Sequence, residues 1–462
     1  MADVFKKIIT GNDLKNGSLV ASVNKFGTIT NHVINPKIND DSVITNQSGV
    51  LDTRFDDVKY YIARAIIAGE APFEDWVQRG SDIDGEAAND QSGHDVALSS
   101  DGNILAVGAI KNDGTGSDAG HTRVYEWSGS AWVQKGSDID GEAAGDRSGY
   151  SVSLSSDGSI VAIGAIFNDG AGYSSGHVRV YEWSGSAWVQ KGGDIDGEAA
   201  YDTSGWSALS SDGSIVAIGG YGNDDAGNNA GHVRVYEYSG SAWVQKGGDI
   251  DGEAAGDSSG RSVSLSDDGT IVAIGAIGND GAGTDAGHVR VYEYSGSAWV
   301  QKGGDIDGEA ANDYSGYSVS LSSDGSIVAI GAYLNDGAGS NAGHTRVYEW
   351  NGSAWVQKGS DIDGESADDR SGYSVSLSSD GSIVAIGAIR DDGTGSNAGH
   401  VRVYEWSGSA WVQKGSDIDG EATYDNSGFS VALSSNGRIV AIGSIENNGA
   451  GNDAGHVRVY AG

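Results

Sequence analysis

Cysteine is absent from this sequence, which excludes disulfides, zinc–thiolate sites and thiol catalysis together. Proline is nearly absent too. Two prolines against 75 glycines in 462 residues point to many tight turns rather than a Pro-rich disordered linker. No apolar run approaches membrane-spanning length, and the opening "MADVFKKIITGND" is polar again almost at once. Neither Sec export nor membrane insertion is therefore expected. Cations are scarce: 28 Lys and Arg face 65 Asp and Glu, for a net charge of −37. Residues 1–72 are balanced at eight against eight, so the remaining 390 carry 20 basic against 57 acidic side chains. Such a surface repels a phosphate backbone, which excludes direct nucleic-acid binding as an expectation and favours solubility.

What is abundant is repetition. "DGE" recurs at Asp84, Asp140, Asp196, Asp251, Asp307, Asp363 and Asp419, at intervals of 56 residues except for one of 55. Seven copies fill residues 73–462. Each reads as four short strands. "YSVSL" (Tyr150–Leu154) alternates large and small side chains, and "SSDG" supplies an Asp-Gly hairpin. "SIVAIGA" (Ser159–Ala165) is apolar on both faces, as a strand covered on both sides must be. "HVRVYEW" (His177–Trp183) and "WVQKG" (Trp188–Gly192) follow, joined by "SGSA". Four antiparallel strands at a near-constant period predict an all-β fold, a seven-bladed β-propeller.

The seventh copy stops after its third strand, at Tyr460, whereas a solitary fourth strand, "FEDWVQRG" (Phe73–Gly80), precedes the first full copy. That strand is expected to complete the last blade, with Trp76 as the missing tryptophan, so that no sheet edge stays open.

The copies resemble the FG-GAP, or integrin-α-like, propeller repeat. "SGYSVSLSSDGSIVAIGA" followed by "GHVRVYEW" keeps its order of glycine-aromatic, strand, Asp-Gly turn, "VGA"-like strand and Gly-x-Val-x-Val-Tyr strand. The resemblance implies the propeller fold over all seven copies. It does not carry the family's calcium loop, which is cut here to "SSDGS". Similarity to repeat arrays of phage structural proteins and bacterial adhesins implies a display protein of a virion (fibre, tail or decoration) that attaches to a host surface. The alternatives are a bacterial surface or secreted adhesin and a calcium-dependent carbohydrate-binding module.

No cofactor is expected, with calcium the one ion left open. Asp138, Asp140, Glu142 and Asp146 in "DIDGEAAGD" are spaced somewhat as an EF-hand loop presents oxygens, but the loop's glycine and its bidentate Glu are missing. The favoured role is an inter-blade connection whose carboxylates pair with the arginine of "HVRVY" (Arg123, Arg179 and their equivalents). The seven histidines from His121 to His456 are expected to pack or hydrogen-bond. These acids come in seven near-identical settings rather than the unequal pair that acid–base chemistry needs, so no enzyme is expected.

Variation between copies is uneven. "SSDGS" and "SGSA" barely change, while the link from strand four to strand one and the loop from strand two to strand three vary. In a meander those two connections emerge on one side of the ring. Lys111, Arg147, Phe167, Tyr173, Tyr201, Trp206, Tyr314, Tyr317, Arg370, Arg390 and Tyr424 are the candidate partner-binding residues of that side, being the residue types favoured in binding hot spots. A cell-surface glycan or protein is the expected partner. In the third copy "SGWSAL" (Ser204–Leu209) is one residue short, which predicts a parity shift around Trp206. Residues 1–72 do not repeat. They read as a hairpin and an amphipathic helix capped by Thr53, a small module expected to anchor the propeller to virion or other assembly proteins, with a homo-oligomer left open.

Overall fold

The computed structural model describes residues 75–462. The anchoring module expected over residues 1–72 lies outside the described residues. Trp76–Ala461 forms one compact unit of seven antiparallel sheets, and among the described residues there are strands and turns but no helix. Each sheet runs from an inner first strand to an outer fourth. In blade three these are Ser204–Leu209, Ile215–Gly220, His232–Tyr238 and Trp243–Gln245. A fifth strand of two residues, such as Ile250–Asp251, pairs with the start of strand three beyond the end of strand four. This short piece has one apolar residue and no period to read, so the sequence pattern gives four strands where the structure has five.

The second strand is buried along its whole length in nearly every blade, as "IVAIGA" requires. The core is divided among the blade junctions, with one hydrophobic cluster at each. Ile160, Val178, Val180 and Ile195 of blade two meet Leu209, Val216 and Ile218 of blade three. The junction between blades seven and one has the same composition, Val457 and Val459 meeting Leu105 and Val107. Blades approach closely because strand two carries glycine next to its last residue. A Cβ added at Gly219 would lie 2.0 Å from the carbonyl oxygen of Gly260 in the next blade.

Three hydrogen-bond circuits run around the ring. On the hairpin side the backbone N–H of Ser100 donates to Ser156 O, and so on through Ser211, Asp267, Ser323, Ser379 and Ser435, whose N–H donates back to Ser100 O, all at 2.7–2.9 Å. At the outer rim each strand-four tryptophan donates Nε1–H to the carbonyl at the exit of the preceding blade's fourth strand, as in Trp188 to Lys135 O at 2.7 Å. Between blades each strand-three arginine donates to the carbonyl of the last aspartate in the preceding fifth strand, as in Arg179 Nη2 to Asp140 O at 2.6 Å.

The ring closes as the sequence predicts. Val77–Gln78 pairs with His456–Ala461, placing Gln78 opposite Tyr460, and Ile83–Asp84 pairs with its start. Trp76 enters the rim circuit by donating to Lys414 O at 2.7 Å. It is half-buried against the cluster that contains Tyr460, as its six counterparts are half-buried, rather than fully enclosed.

The parity shift expected in blade three does not propagate. Other blades bulge at the start of strand one, with Ser259 opposite Ala276 and Ser262 opposite Gly275; in blade three the bulge is one residue smaller, with Ser204 opposite Gly220 and Trp206 opposite Gly219. Downstream, Leu209 faces Val216 just as Leu265 faces Val272. The bulge absorbs the deletion because its residues make no ladder bonds that must be matched.

Candidate partner-binding face

Strand one enters each blade from the variable side, so the residue after its Ser-Gly start stands at the mouth of the central channel. In chain order these residues are His94, Tyr150, Trp206, Arg261, Tyr317, Tyr373 and Phe429. They touch in a closed circle. Ring centroids are 4.4 Å apart for His94–Tyr150, 5.2 Å for Tyr150–Trp206, 4.8 Å for Tyr317–Tyr373, 5.1 Å for Tyr373–Phe429 and 5.1 Å for Phe429–His94. Arg261 bridges the remaining gap, its guanidinium carbon 3.9 Å from the Trp206 ring centre and 4.3 Å from that of Tyr317. Such a sandwich is the geometry of a strong cation–π contact. Among the described residues no carboxylate pairs with this guanidinium, whose N–H donors remain to be used.

Beneath the aromatic circle lies a second tier: Asp95, Ser151, Ser207, Ser262, Ser318, Ser374 and Ser430. The inner strand would otherwise leave backbone N–H groups bare toward the channel. Side chains of the neighbouring blade satisfy them, as when Val375 N donates to Ser318 Oγ at 3.0 Å and Val152 N to Asp95 Oδ2 at 2.7 Å. Burial pushes the Asp95 carboxyl up to about 7, against the two backbone N–H groups that favour its charged form. Burial likewise holds the His94 imidazole down to about 3, so it stays neutral. The two tiers line a cavity of about 230 Å³.

The rim of this mouth is made by the two variable connections, locked together by backbone bonds. Lys111 N donates to Asp90 O at 3.2 Å and Arg390 N to Asp369 O at 3.1 Å. The position after "GEAA" or its equivalent has positive φ in every copy: Asn89, Gly145, Tyr201, Gly256, Asn312, Asp368 and Tyr424, from 67° to 92°. Glycine, asparagine and aspartate suit that conformation; a tyrosine does not. Tyr201 (63 % exposed) stacks with Tyr173 (64 %) at 5.4 Å, and Tyr424 is 55 % exposed. Arg147, Tyr314 and Arg370 also sit in left-handed backbone, at 55°, 53° and 58°.

These candidates fall into groups. Trp206 and Tyr317 belong to the axial circle. Arg147 lies over Phe167 at 5.0 Å, and Phe167 meets Tyr150 edge-on at 6.4 Å, which extends the circle outward over blade two. Tyr314 and Arg370 flank Tyr333, which contacts both Tyr317 and Tyr373, extending it over blade five. Lys111 and Arg390 hold the position of Phe167 in their own blades, and Tyr173, Tyr201 and Tyr424 are exposed on the rim. Sequence reasoning missed Arg261, His94, Tyr373 and Tyr333. Aligning the seven residues after Ser-Gly would have found the first three.

The four acids considered for calcium each make a contact within the protein. Asp138 accepts from Gln134 Nε2 at 2.6 Å, and Asp140 offers its backbone carbonyl to Arg179. Glu142 lies 3.7 Å from Arg179 Nη1, a looser contact than that carbonyl bond. Asp146 caps its own turn at Ala143 N and holds Asn168. The inter-blade arginine thus rests chiefly on a backbone oxygen, with the glutamate as second partner. The histidines opening strand three are buried, and none uses Nε2 in a hydrogen bond.

The FG-GAP repeat family matches residues 306–348 and 360–404, which run from the fifth strands of blades four and five through the third strands of blades five and six. No curated protein sequence matches the chain. Among solved structures, one of Kuenenia stuttgartiensis hydrazine synthase is similar over 83 % of this chain and 97 % of its own, at 13 % identity and a TM-score of 0.52. The β-propeller domain of Myceliophteria thermophila Cps50 (Swd1) covers 84 % and 99 % at 9 % identity, with a TM-score of 0.49. At 13 % identity the hydrazine synthase likeness bears on the fold alone. Blades five and six share their strand order and inter-blade bonds with the other five, so the chain is a seven-bladed β-propeller that carries FG-GAP repeats at residues 306–348 and 360–404.

Proposed function

We propose that this protein is a non-enzymatic display protein of a phage particle, anchored through residues 1–72 and touching the host surface with the variable side of its propeller. The axial circle is the centre of that contact. The observation that carries the reading is Arg261, a guanidinium held between Trp206 and Tyr317 at the channel mouth without a carboxylate partner among the described residues. A stacked arginine with spare donors, set in a floor of aromatic rings, suits a sugar ring bearing an acidic group or a carboxylate side chain. The rim supports the same reading, because its exposed tyrosines occupy backbone that disfavours them.

Two experiments test it. Mass spectrometry of purified virions should find the polypeptide, and deleting residues 1–72 should abolish its incorporation; incorporation unaffected by the deletion would sink the anchoring role. Recovery from a bacterial surface fraction instead would favour the adhesin. Arg261→Ala in the full chain should lower binding to host cells at least tenfold with the fold intact, and unchanged binding would remove the axial circle from the contact.

A further inference from the structure

The start of strand three in blade three gathers four potential ligands. His232 opens the strand, Glu198 lies in the connection leading into the blade, Asp225 in the loop before the strand, and Asp249 just beyond strand four. One donor atom from each lies within 4.8 Å of all the others. We propose that this cluster is a binding site for one divalent transition ion of the zinc class, taken by His232 Nδ1 and the three carboxylates.

The histidine points to an ion rather than to a hydrogen-bonded network. His232 is fully buried, and neither ring nitrogen has a hydrogen-bond partner. Its Nδ1 faces Glu198 Oε2 at 3.8 Å, too long for a hydrogen bond. Its Nε2 is buried and unpartnered as well. Nδ1 is the ring nitrogen that faces the acids. A buried, unpartnered imidazole nitrogen facing carboxylates across a gap wider than a hydrogen bond is the arrangement a metal ion completes.

The carboxylates are held from behind. Arg234 Nη1 lies 3.4 Å from Glu198 Oε1, the oxygen turned away from the histidine. Gln245 Nε2 donates to Asp249 Oδ1 at 2.5 Å. Outer partners of this kind orient metal ligands. Three carboxylates beside one arginine leave a local charge of about −2, which a divalent ion neutralises. One imidazole and three carboxylate oxygens suit four-coordinate zinc-class ions, whereas calcium prefers six to eight oxygens. The three acids are exposed, so the ion has a path from solvent.

Internal comparison sharpens the proposal. Asp225 is unique to blade three, the equivalent positions being Gly114, Gly170, Gly281, Gly337, Gly393 and Gly449. In blade six an aspartate stands where blade three has Asn223, and there His400 Nδ1 meets Asp391 Oδ1 at 3.3 Å, so the imidazole is served by the protein itself. Blade three therefore has the fullest ligand set with an unserved histidine.

The test uses the full chain, stripped with EDTA and dialysed. Titration calorimetry with zinc chloride should give one tight site per chain, and cobalt chloride should give the visible absorption of a four-coordinate nitrogen–oxygen site. Asp225→Gly, which installs the residue of the other six blades, should weaken zinc at least ~10-fold while the metal-free melting temperature stays unchanged. Glu198→Gln should also weaken zinc. No tight zinc site in the native chain, equal affinity in Asp225→Gly, or a preference for calcium over zinc would each overturn the assignment.

Discussion

Replacing Trp76 with alanine probes whether the ring is clasped in solution as it is in the structure. Trp76 is half-buried against the cluster of blades six and seven and donates Nε1–H to Lys414 O at 2.7 Å. A buried aromatic covers 150–250 Å², so half of that at ~25 cal/mol per Å² is worth about 2–3 kcal/mol. The indole hydrogen bond adds about 1 kcal/mol. The expected loss is therefore ~3 kcal/mol, at the lower end of the range for fully buried tryptophans. For a chain of this size that lowers Tm by about 4 °C, readable by calorimetry or circular dichroism. Trp411→Ala is the internal control. Trp411 makes the same rim bond, to Lys358 O at 2.6 Å, and also packs on Trp406 at a centroid distance of 5.4 Å. The control should therefore lose stability on the same scale. If Trp411→Ala destabilises the protein while Trp76→Ala leaves Tm unchanged, the clasp does not form and the closure argument fails.

Three further outcomes follow from the same structure. Tyr424→Asn should raise stability by about 1 kcal/mol in urea unfolding, because asparagine tolerates the φ of 68° that a tyrosine resists; a loss would mean the phenol ring packs in a way its exposure conceals. Gly219→Ala should cost on the order of 3 kcal/mol or prevent folding, since its Cβ would meet a backbone oxygen rather than a movable side chain; a soluble variant with native Tm would refute the close approach of blades three and four. Asp95 is raised from its usual value of 3.8 to about 7 by burial, so the folded state holds a proton that the unfolded chain has released. Its stabilising share is complete below about pH 4 and is lost as pH rises toward 7. Asp95→Ser, which installs the residue of the other blades, should remove that decline from a plot of Tm against pH; an unaltered slope would show that the carboxyl ionises freely in the channel.

The ring was legible because its signals are local and repeated seven times: an Asp-Gly hairpin after an alternating strand, an apolar second strand, and a tryptophan-led fourth strand missing at one end and spare at the other. Closure followed from counting strands. The axial circle was harder to see because it is assembled from residues about 56 positions apart. His94, Tyr150, Trp206, Arg261, Tyr317, Tyr373 and Phe429 share nothing as a list except their place after Ser-Gly. Reading Ser-Gly-aromatic as the start of a strand hides the fact that seven such starts surround one axis. The exception among the aromatics, Arg261, is the member that gives the circle its charge. The fate of the blade-three deletion was illegible for another reason: whether a lost residue shifts a strand's register or is absorbed depends on a bulge, and a bulge is a hydrogen-bonding fact with no fixed sequence signature.

The division of labour between framework and face bears on whether the variable residues drift. The rim tryptophans donate to backbone carbonyls, the inter-blade arginines rest chiefly on backbone carbonyls, and the hairpin-side circuit is backbone throughout. None of these circuits asks anything of the side chain at position 201 or 424. A residue free of packing demands in left-handed backbone should drift toward what the backbone prefers, and five of the seven copies hold glycine, asparagine or aspartate there. Tyrosine at the other two costs about 1 kcal/mol each and gives back little through burial, with more than half of each ring in solvent. Drift under the turn's own preference moves away from such residues. On the function proposed above, their presence on the rim serves a contact made outside the chain, where an exposed phenol supplies both an apolar face and a hydrogen-bonding tip.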